Sequence, residues 1–238
     1  MGPKLFGLEH IIYIVLSTII GVIFLLWANK YVKDDKHKVL VLKSLAILLF
    51  ISIMTNRLSQ VFRYDDTRWY CIIPDSFCGM TSLVLSLGVL FGKKDNGILH
   101  FVWLLGLFGG ISTVIYATFV GQGPSIFYLP TISGLVHHSF SAILVVALFM
   151  FKYINVTYKK WYYTLFGFTC YLTVGAFLMH VFNMSDAFHI VEPLLPGTPL
   201  TAWVMAPMYA AAYALILFIF EIVRKRKKDE TIELKKKV

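Results

Sequence analysis

The sequence has little charge. Only 15% of its 238 residues are Asp, Glu, Lys or Arg, while 58% are hydrophobic, and the mean hydropathy is +0.73. A soluble chain of this length would have to hide more apolar surface than the core of one domain can hold. The composition therefore excludes an ordinary soluble protein and indicates a membrane protein.

Internal repeats, low-complexity runs and loops long enough for a second domain are also absent. The missing repeat gives no support to an inverted-repeat transporter. We therefore expect one transmembrane domain over residues 1–223, followed by a basic cytoplasmic tail over residues 224–238. The net charge of +9 is explained by topology and by attraction to anionic lipid, so we expect no nucleic-acid partner.

Seven apolar stretches account for most of the chain. Each is long enough to cross hydrocarbon as a helix, some only with snorkelling ends. The second is interrupted by Lys43, and the first is too long for the apolar region of a signal peptide. We predict an all-α bundle of about seven transmembrane helices, over Leu8–Ala28, Val39–Thr55, Ser76–Gly92, Gly97–Val120, Thr131–Phe151, Trp161–Phe182 and Thr201–Phe220.

Lys and Arg are concentrated in alternate gaps between these stretches. The first, third and fifth gaps and the tail are basic, whereas the fourth and sixth gaps contain neither residue. The positive-inside rule places the basic gaps in the cytoplasm, with the amino end outside and the tail inside. The second gap is the exception, because Arg57, Arg63 and Arg68 are only partly offset by Asp65 and Asp66. Placing it inside would break the alternation at every later crossing.

This topology gives each polar residue a depth, and most of them fall in the outer third of the membrane. Polar groups within a bilayer are costly, so they tend to face the interior of a bundle and mark a site. We predict a pocket that opens to the outer leaflet, with loops 121–130 and 184–200 as lids and His100 as a separate, interfacial residue. The predicted pocket residues are Glu9, His10, Asn56, Arg57, Asp75, Ser76, Cys78, His137, His138, His180 and Asn183.

Nucleophilic acyl transfer is one chemistry that this set could support, because it needs a thiol, a nearby base and oxyanion donors. By the helical rise, Cys78 and His138 lie at similar depths on their helices. A cysteine near a helix amino end gains thiolate character. A disulfide between Cys71 and Cys78 would exclude this role, and a small buried hydrophobe is the other interpretation of Cys78.

Two other classes remain open at this point. Five histidines in the outer half would suffice for a metal hydrolase, but no HxxxH pair lies on one helix, and we expect neither metal nor cofactor. The same polar groups could instead hold a lipid or small solute without reacting. For acyl transfer and for binding without reaction, the expected partner is a membrane phospholipid or a fatty acyl substrate.

Four short motifs resemble a known family. FGLEH at 6–10, PDSFCG at 74–79, GLVHHSF at 134–140 and FN at 182–183 are similar to motifs of the YwaF family of bacterial integral membrane proteins, which groups with the eukaryotic TMEM164 acyltransferases. The resemblance covers most of the chain. It implies a seven-helix membrane fold, a bacterial plasma-membrane location, and acyl transfer or fatty-ester hydrolysis by a nucleophile and a histidine.

The resemblance also implies roles for individual residues. Cys78 matches the cysteine of the bacterial pattern PLHLC, and His138 best fits the fifth-helix histidine, with His137 as the fallback. The histidine of PLHLC is Ser76 here. In the acyltransferases the nucleophilic cysteine follows the proline directly, where this chain has Asp75, so either Cys78 or Ser76 serves or the reaction has been lost.

The catalytic hypothesis gives each remaining group a role. Cys78 is the nucleophile and His138 the base. Asp75 or Glu9 orients the imidazole, and Asn56 or Asn183 donates to the oxyanion.

Overall fold

The computed structural model describes residues 5–63, 68–117 and 125–236, with side chains as far as residue 226. Asp65, Asp66 and residues 121–124 of the predicted outer lid therefore lie outside the described residues. The described chain is all-α. Its seven α-helices are α1 Leu8–Tyr31, α2 Asp35–Val61, α3 Phe77–Leu90, α4 Gly97–Ile115, α5 Leu129–Met150, α6 Tyr162–Phe182 and α7 Ala202–Lys236.

Six of the described helices, all except α3, are long and apolar enough to cross a membrane. This confirms a polytopic helical bundle. Two helices are longer than the apolar pattern predicts. Helix α2 begins at Asp35, because the side chain of Asp34 accepts a hydrogen bond from the His37 amide and caps it. Helix α7 continues through the basic tail to Lys236.

Helix α3 is shorter than predicted. It has 14 residues, which span ~21 Å, whereas the hydrocarbon core is ~30 Å thick. Pro74 precedes it, and Ser76 caps it by accepting a hydrogen bond from the Gly79 amide at 3.3 Å. Neighbouring helices shield most of α3 from lipid, since Thr81, Ser82 and most of its central residues are buried. A helix enclosed by protein does not have to match the bilayer thickness.

The core lies among α2, α3, α4 and α5, which make the closest helix contacts. Fully buried leucines from all four helices meet there. Helix α1 packs on α5, α6 packs on α4, and α7 packs on α6. Helices α1 and α7 leave most of their apolar surface for lipid. The buried leucines are Leu42, Leu49, Leu85, Leu99, Leu144 and Leu148.

The connections between helices form two groups at opposite ends of the bundle. At one end the Asp95 amide donates to the Tyr153 carbonyl oxygen at 3.1 Å, and Arg224 donates to the Val156 carbonyl at 3.0 Å. These contacts join the basic third and fifth gaps to the tail. At the other end the Phe188 amide donates to the Asp75 carbonyl oxygen at 2.7 Å. The basic gaps thus share one end, which the charge pattern assigns to the cytoplasm and which we call the inner end.

Candidate functional site

Two helices and the segment before a third bring polar side chains together in the outer half of the bundle. Helix α2 supplies Asn56 and Arg57 near its end, the segment before α3 supplies Asp75, and α5 supplies His137 and His138 about two turns from its start. Because α2 packs against both α3 and α5, these positions are neighbours in space although they are distant in sequence. We call these five residues the outer cluster.

Arg57 and Asp75 form an ion pair in this cluster. Arg57 Nη1 donates to Asp75 Oδ1 at 2.9 Å, and Arg57 Nη2 donates to Asn56 Oδ1 at 3.2 Å. The arginine side chain is 13% exposed and the aspartate 38%. Arg57 Nε is buried and has no partner within the described part of the chain. Asp75 therefore pairs with a guanidinium, and within the described residues no hydrogen bond joins it to an imidazole. Its role, or that of Glu9, in orienting an imidazole stays a prediction.

Asn56 ties α2 to the start of α5. It is buried, and its Nδ2 donates to the Pro130 carbonyl oxygen at 2.9 Å and to Ser133 Oγ at 3.2 Å. Both amide hydrogens are thus occupied. A free pair of donors is what an oxyanion site requires, so the position of Asn56 fits a bridge between helices better than the oxyanion role.

The two adjacent histidines have different surroundings. His137 Nδ1 shares a hydrogen bond with Ser82 Oγ on α3 at 3.1 Å. The ring of His138 lies 4.1 Å from that of His137, measured between centroids, and both side chains are buried. Among the described hydrogen bonds, His137 is the one of the two that reaches α3. The fallback histidine of the sequence analysis is therefore better placed than His138 to work with a group on α3.

Cys78 lies one helical turn before Ser82 on the same face of α3, at a rise of ~6 Å. Its thiol lies beside the Thr113 side chain on α4. It also packs over Gly109, where an added Cβ would lie 3.1 Å from Sγ. No hydrogen bond joins Cys78 to His137 in the described residues. Cys71 and Cys78 are separate thiols and are not joined by a disulfide in this part of the chain.

Glu9 and His10 secure the outer end of α1. His10 Nδ1 accepts from the Phe6 amide at 3.2 Å, and Nε2 lies 2.9 Å from the Val114 carbonyl oxygen, to which it donates. Both ring nitrogens are therefore occupied. The Ile126 amide donates to Glu9 Oε2 at 3.0 Å. The two side chains thus hold α1 against neighbouring segments.

Three other predicted residues do not join the outer cluster. His180 and Asn183 are exposed at the end of α6. Asn183 has a φ of 52° and terminates that helix in the left-handed conformation. Ser76 is occupied as the cap of α3. Among the described residues no three His, Cys, Asp or Glu side chains could hold a metal ion together, so the metal-hydrolase alternative gains no support here.

A second polar cluster lies at the inner end, and the sequence analysis missed it. His100 Nε2 donates to Asp95 Oδ1 at 2.8 Å, the Asn155 amide donates to the same oxygen at 2.8 Å, and Lys160 pairs with Asp95 Oδ2. His100 is completely buried in the protein at this end, and its predicted position at the membrane interface stays a prediction. The only signal in the sequence was an aspartate within a basic gap, five residues before a histidine.

The pKa of Asp95 reflects this environment. Burial alone would raise it, but the hydrogen bonds from Lys160, the Asn155 amide and His100 lower the pKa below the usual 3.8. Asp95 therefore remains a carboxylate and holds two connections of the inner end together.

Two cavities accompany these clusters. An outer groove of about 450 Å³ lies between the outer ends of α2 and α5, lined by Thr55, Leu58, Ser59, Phe62, Arg63, Tyr128, Leu129 and Pro130. A separate inner crevice of about 440 Å³ lies between α3, α4 and α6, and its walls are almost entirely apolar. Pro130 both lines the outer groove and accepts the hydrogen bond from Asn56, so the groove adjoins the outer cluster.

Comparison of the chain with protein-family models, with curated proteins and with solved structures finds no match. The resemblance to the YwaF family therefore stays a prediction from the four short motifs.

Proposed function

We propose that this multi-pass membrane protein binds a membrane phospholipid or fatty acyl ligand in its outer half. The observation that supports this is the position of Pro130, which joins an apolar groove to a buried polar cluster. Ionisable side chains within membrane-spanning segments are costly and commonly mark binding sites. The groove offers an apolar surface for a chain, and the cluster offers polar groups for an ester or a headgroup.

Arg57 is the central residue of this binding proposal. Two of its three guanidinium nitrogens donate to Asp75 and Asn56, and the unpartnered Nε leaves a buried donor that a ligand oxygen could satisfy. An unsatisfied buried donor costs ~1–3 kcal/mol. A phosphate or ester oxygen that reached it would remove this cost, which gives the ligand a preference for the site.

Acyl transfer is the second candidate function, and the facing surfaces of α3 and α5 favour it. His137 contacts Ser82, which is one turn, or ~6 Å, from Cys78 along α3. The imidazole would have to move by about that distance to reach the thiol. His137 would take the Cys78 proton, the thiolate would attack the ester carbonyl carbon, and the lipid alcohol would leave with that proton. The resulting thioester would pass its acyl group to water or to a second lipid alcohol.

Three observations rank catalysis below binding. His137 Nδ1 shares its hydrogen bond with Ser82, and within the described part of the chain none joins the Cys78 thiol to an imidazole. Asn56 has no free amide hydrogen for an oxyanion. Asp75 pairs with Arg57, and no hydrogen bond in the described residues joins it to a histidine.

The two functions are separated by labelling the full-length protein, purified in lipid nanodiscs, with a long-chain alkyl electrophile. If Cys78 is catalytic, it reacts faster than Cys71 and Cys170. His137→Ala then slows its labelling by ~10²–10⁴, the usual contribution of a positioned base. His138→Ala is the matched control and changes the rate little. An unreactive Cys78 contradicts the catalytic candidate.

Binding is measured on the same proteins purified in detergent, by quantifying the lipid that co-purifies. Arg57→Gln should reduce the lipid retained, while Lys33→Gln, at an exposed position just after the inner end of α1, should not. Retention that is equal in both variants and in the wild type contradicts the binding proposal.

A further inference from the structure

The inner crevice between α3, α4 and α6 exists because α3 and α6 both pack on α4 but scarcely on each other. Its walls include Met80 and Val84 from α3, Phe101 from α4, and Tyr163, Gly167 and Val174 from α6. Gly167 is needed for the close approach of α6 to α4, since an added Cβ would lie 2.2 Å from a Phe101 ring atom. The crevice therefore results from the way that α3 and α6 pack on α4.

Aromatic side chains close the outer end of the crevice. Tyr171 lines it, and behind Tyr171 lie Phe77 and Phe188. The Phe188 ring centroid is 5.5 Å from each of the other two. Phe188 is 1% exposed and has a φ of 55°. This unfavourable conformation is held by its hydrogen bond to the Asp75 carbonyl oxygen. These packed rings lie between the crevice and the outer end of α3.

The inner end of the crevice is polar and basic. Gly92 and Asn96 form its inner rim, and the exposed Lys93 and Lys94 lie between them in the chain. The negative charge of Asp95 is already compensated by Lys160. The rim therefore carries net positive charge at the depth of the inner-leaflet headgroups.

The shape and lining of the crevice decide which kind of molecule fits. From Tyr163 to Val174 it follows α6 for ~16 Å. A helix, ~10 Å in diameter, is too thick for a space of this volume. An extended peptide would leave its backbone groups without partners among apolar walls. A flexible hydrocarbon chain meets neither obstacle, and Phe166 and Cys170 leave the crevice exposed along its α6 edge.

We propose that the inner crevice holds one acyl chain of an anionic phospholipid from the inner leaflet, with the headgroup at Lys93 and Lys94. This site shares no residue with the outer cluster or the outer groove. The proposal therefore does not depend on the function proposed for the outer half.

The test uses the full-length protein in nanodiscs with phosphatidylglycerol that carries a photoactivatable diazirine near the end of one chain. Crosslinked peptides are mapped by mass spectrometry. We expect crosslinks at Met80 and Val84 on α3 and from Gly167 to Val174 on α6. Crosslinking no stronger there than on the lipid-facing side of α5 would overturn the proposal.

Two filling variants, Val84→Phe and Val174→Phe, should each reduce crosslinking in the crevice by about tenfold, which corresponds to ~1.4 kcal/mol. Val146→Phe is the matched control, because Val146 is 39% exposed on α5, and it should leave crosslinking unchanged. Two filling positions are used so that one remains informative if the other fails to fold. Unchanged crosslinking in a folded filling variant overturns the proposal.

The headgroup preference is tested with a phosphatidylcholine probe of the same chain. Wild type should favour the phosphatidylglycerol probe, and Lys93→Gln and Lys94→Gln should each lower that preference by about fivefold, since a lysine near an anionic surface contributes ~1 kcal/mol. Equal crosslinking of both probes in the wild type would overturn the assignment of an anionic lipid.

Discussion

Arg57 donates a hydrogen bond to Asp75 across 2.9 Å and so joins the outer end of α2 to the segment that leads into α3. The Asp75 carbonyl oxygen also accepts from the Phe188 amide. One aspartate thus connects the loop before α3 to the loop before α7. The outer cluster and the closed end of the inner crevice are therefore held by the same short segment.

Loss of this ion pair should destabilise the protein. Asp75→Ala leaves a largely buried guanidinium with one acceptor fewer, and we expect the free energy of unfolding to fall by ~1.5–3 kcal/mol. A double-mutant cycle with Arg57→Gln, followed by denaturant unfolding in detergent, measures the coupling. Glu221→Ala is the control, because its contact with Arg224 is long, at 3.8 Å, and exposed. It should change stability by less than ~0.5 kcal/mol. A coupling near zero between positions 57 and 75 would contradict the structural role of the pair.

The inner cluster should make stability depend on pH. The folded-state pKa of Asp95 lies below its usual value of 3.8, so its stabilising effect is complete above that pH and is lost as the pH falls through the lower folded pKa. Asp95→Asn should therefore be less stable than wild type at neutral pH and should lose less stability on acidification below pH 3.8. Unfolding measured across this range tests the prediction, and identical acid profiles for the two proteins would refute it.

Gly167→Ala should reverse the usual effect of this substitution. In an unhindered helix the change from Gly to Ala is favourable by ~0.8–1 kcal/mol. Here the added methyl group would overlap the Phe101 ring, and overpacking costs ~1–3 kcal/mol. Thermal unfolding in nanodiscs should show a lower midpoint, partly restored by the second change Phe101→Leu. A gain in stability from Gly167→Ala alone would show that this contact is not as close as described.

The orientation in the membrane is tested with single introduced thiols in a background from which the three native cysteines have been removed. Ser125→Cys, between α4 and α5, should react with an impermeant maleimide added outside the cell. Glu230→Cys, in the tail, should react only after permeabilisation. The opposite pattern would exchange the outer and inner ends assigned here.

The membrane class and the order of the helices could be predicted from the sequence. Apolar stretches of about 20 residues have few alternatives to a spanning helix, because a backbone in hydrocarbon must satisfy its own hydrogen bonds. The alternation between gaps that contain lysine and arginine and gaps that lack both predicts which connections share an end of the bundle. The apolar stretches and the charge alternation are both properties of segments of many residues, and they do not depend on how the helices pack.

The ends of α3 and the partners of individual polar residues could not be predicted in this way. Helices that are apolar on nearly every side give little indication of which face meets which neighbour. The sequence could therefore predict that Asp75, His137 and His138 lie at a similar depth in the membrane. It could not assign Asp75 to Arg57 or decide that His137 contacts Ser82.

The sequence by itself determined that this is an all-α membrane protein, and it determined which connections share an end. Both results follow from the transfer of apolar segments into the bilayer and of charged segments into water, which does not require knowledge of the contacts between helices. Only the tertiary structure decided the contents of the outer cluster, the burial of His100 against Asp95 and the gap between α3 and α6. These features arise from contacts between helices far apart in the chain, where a single glycine such as Gly167 sets how closely two helices approach.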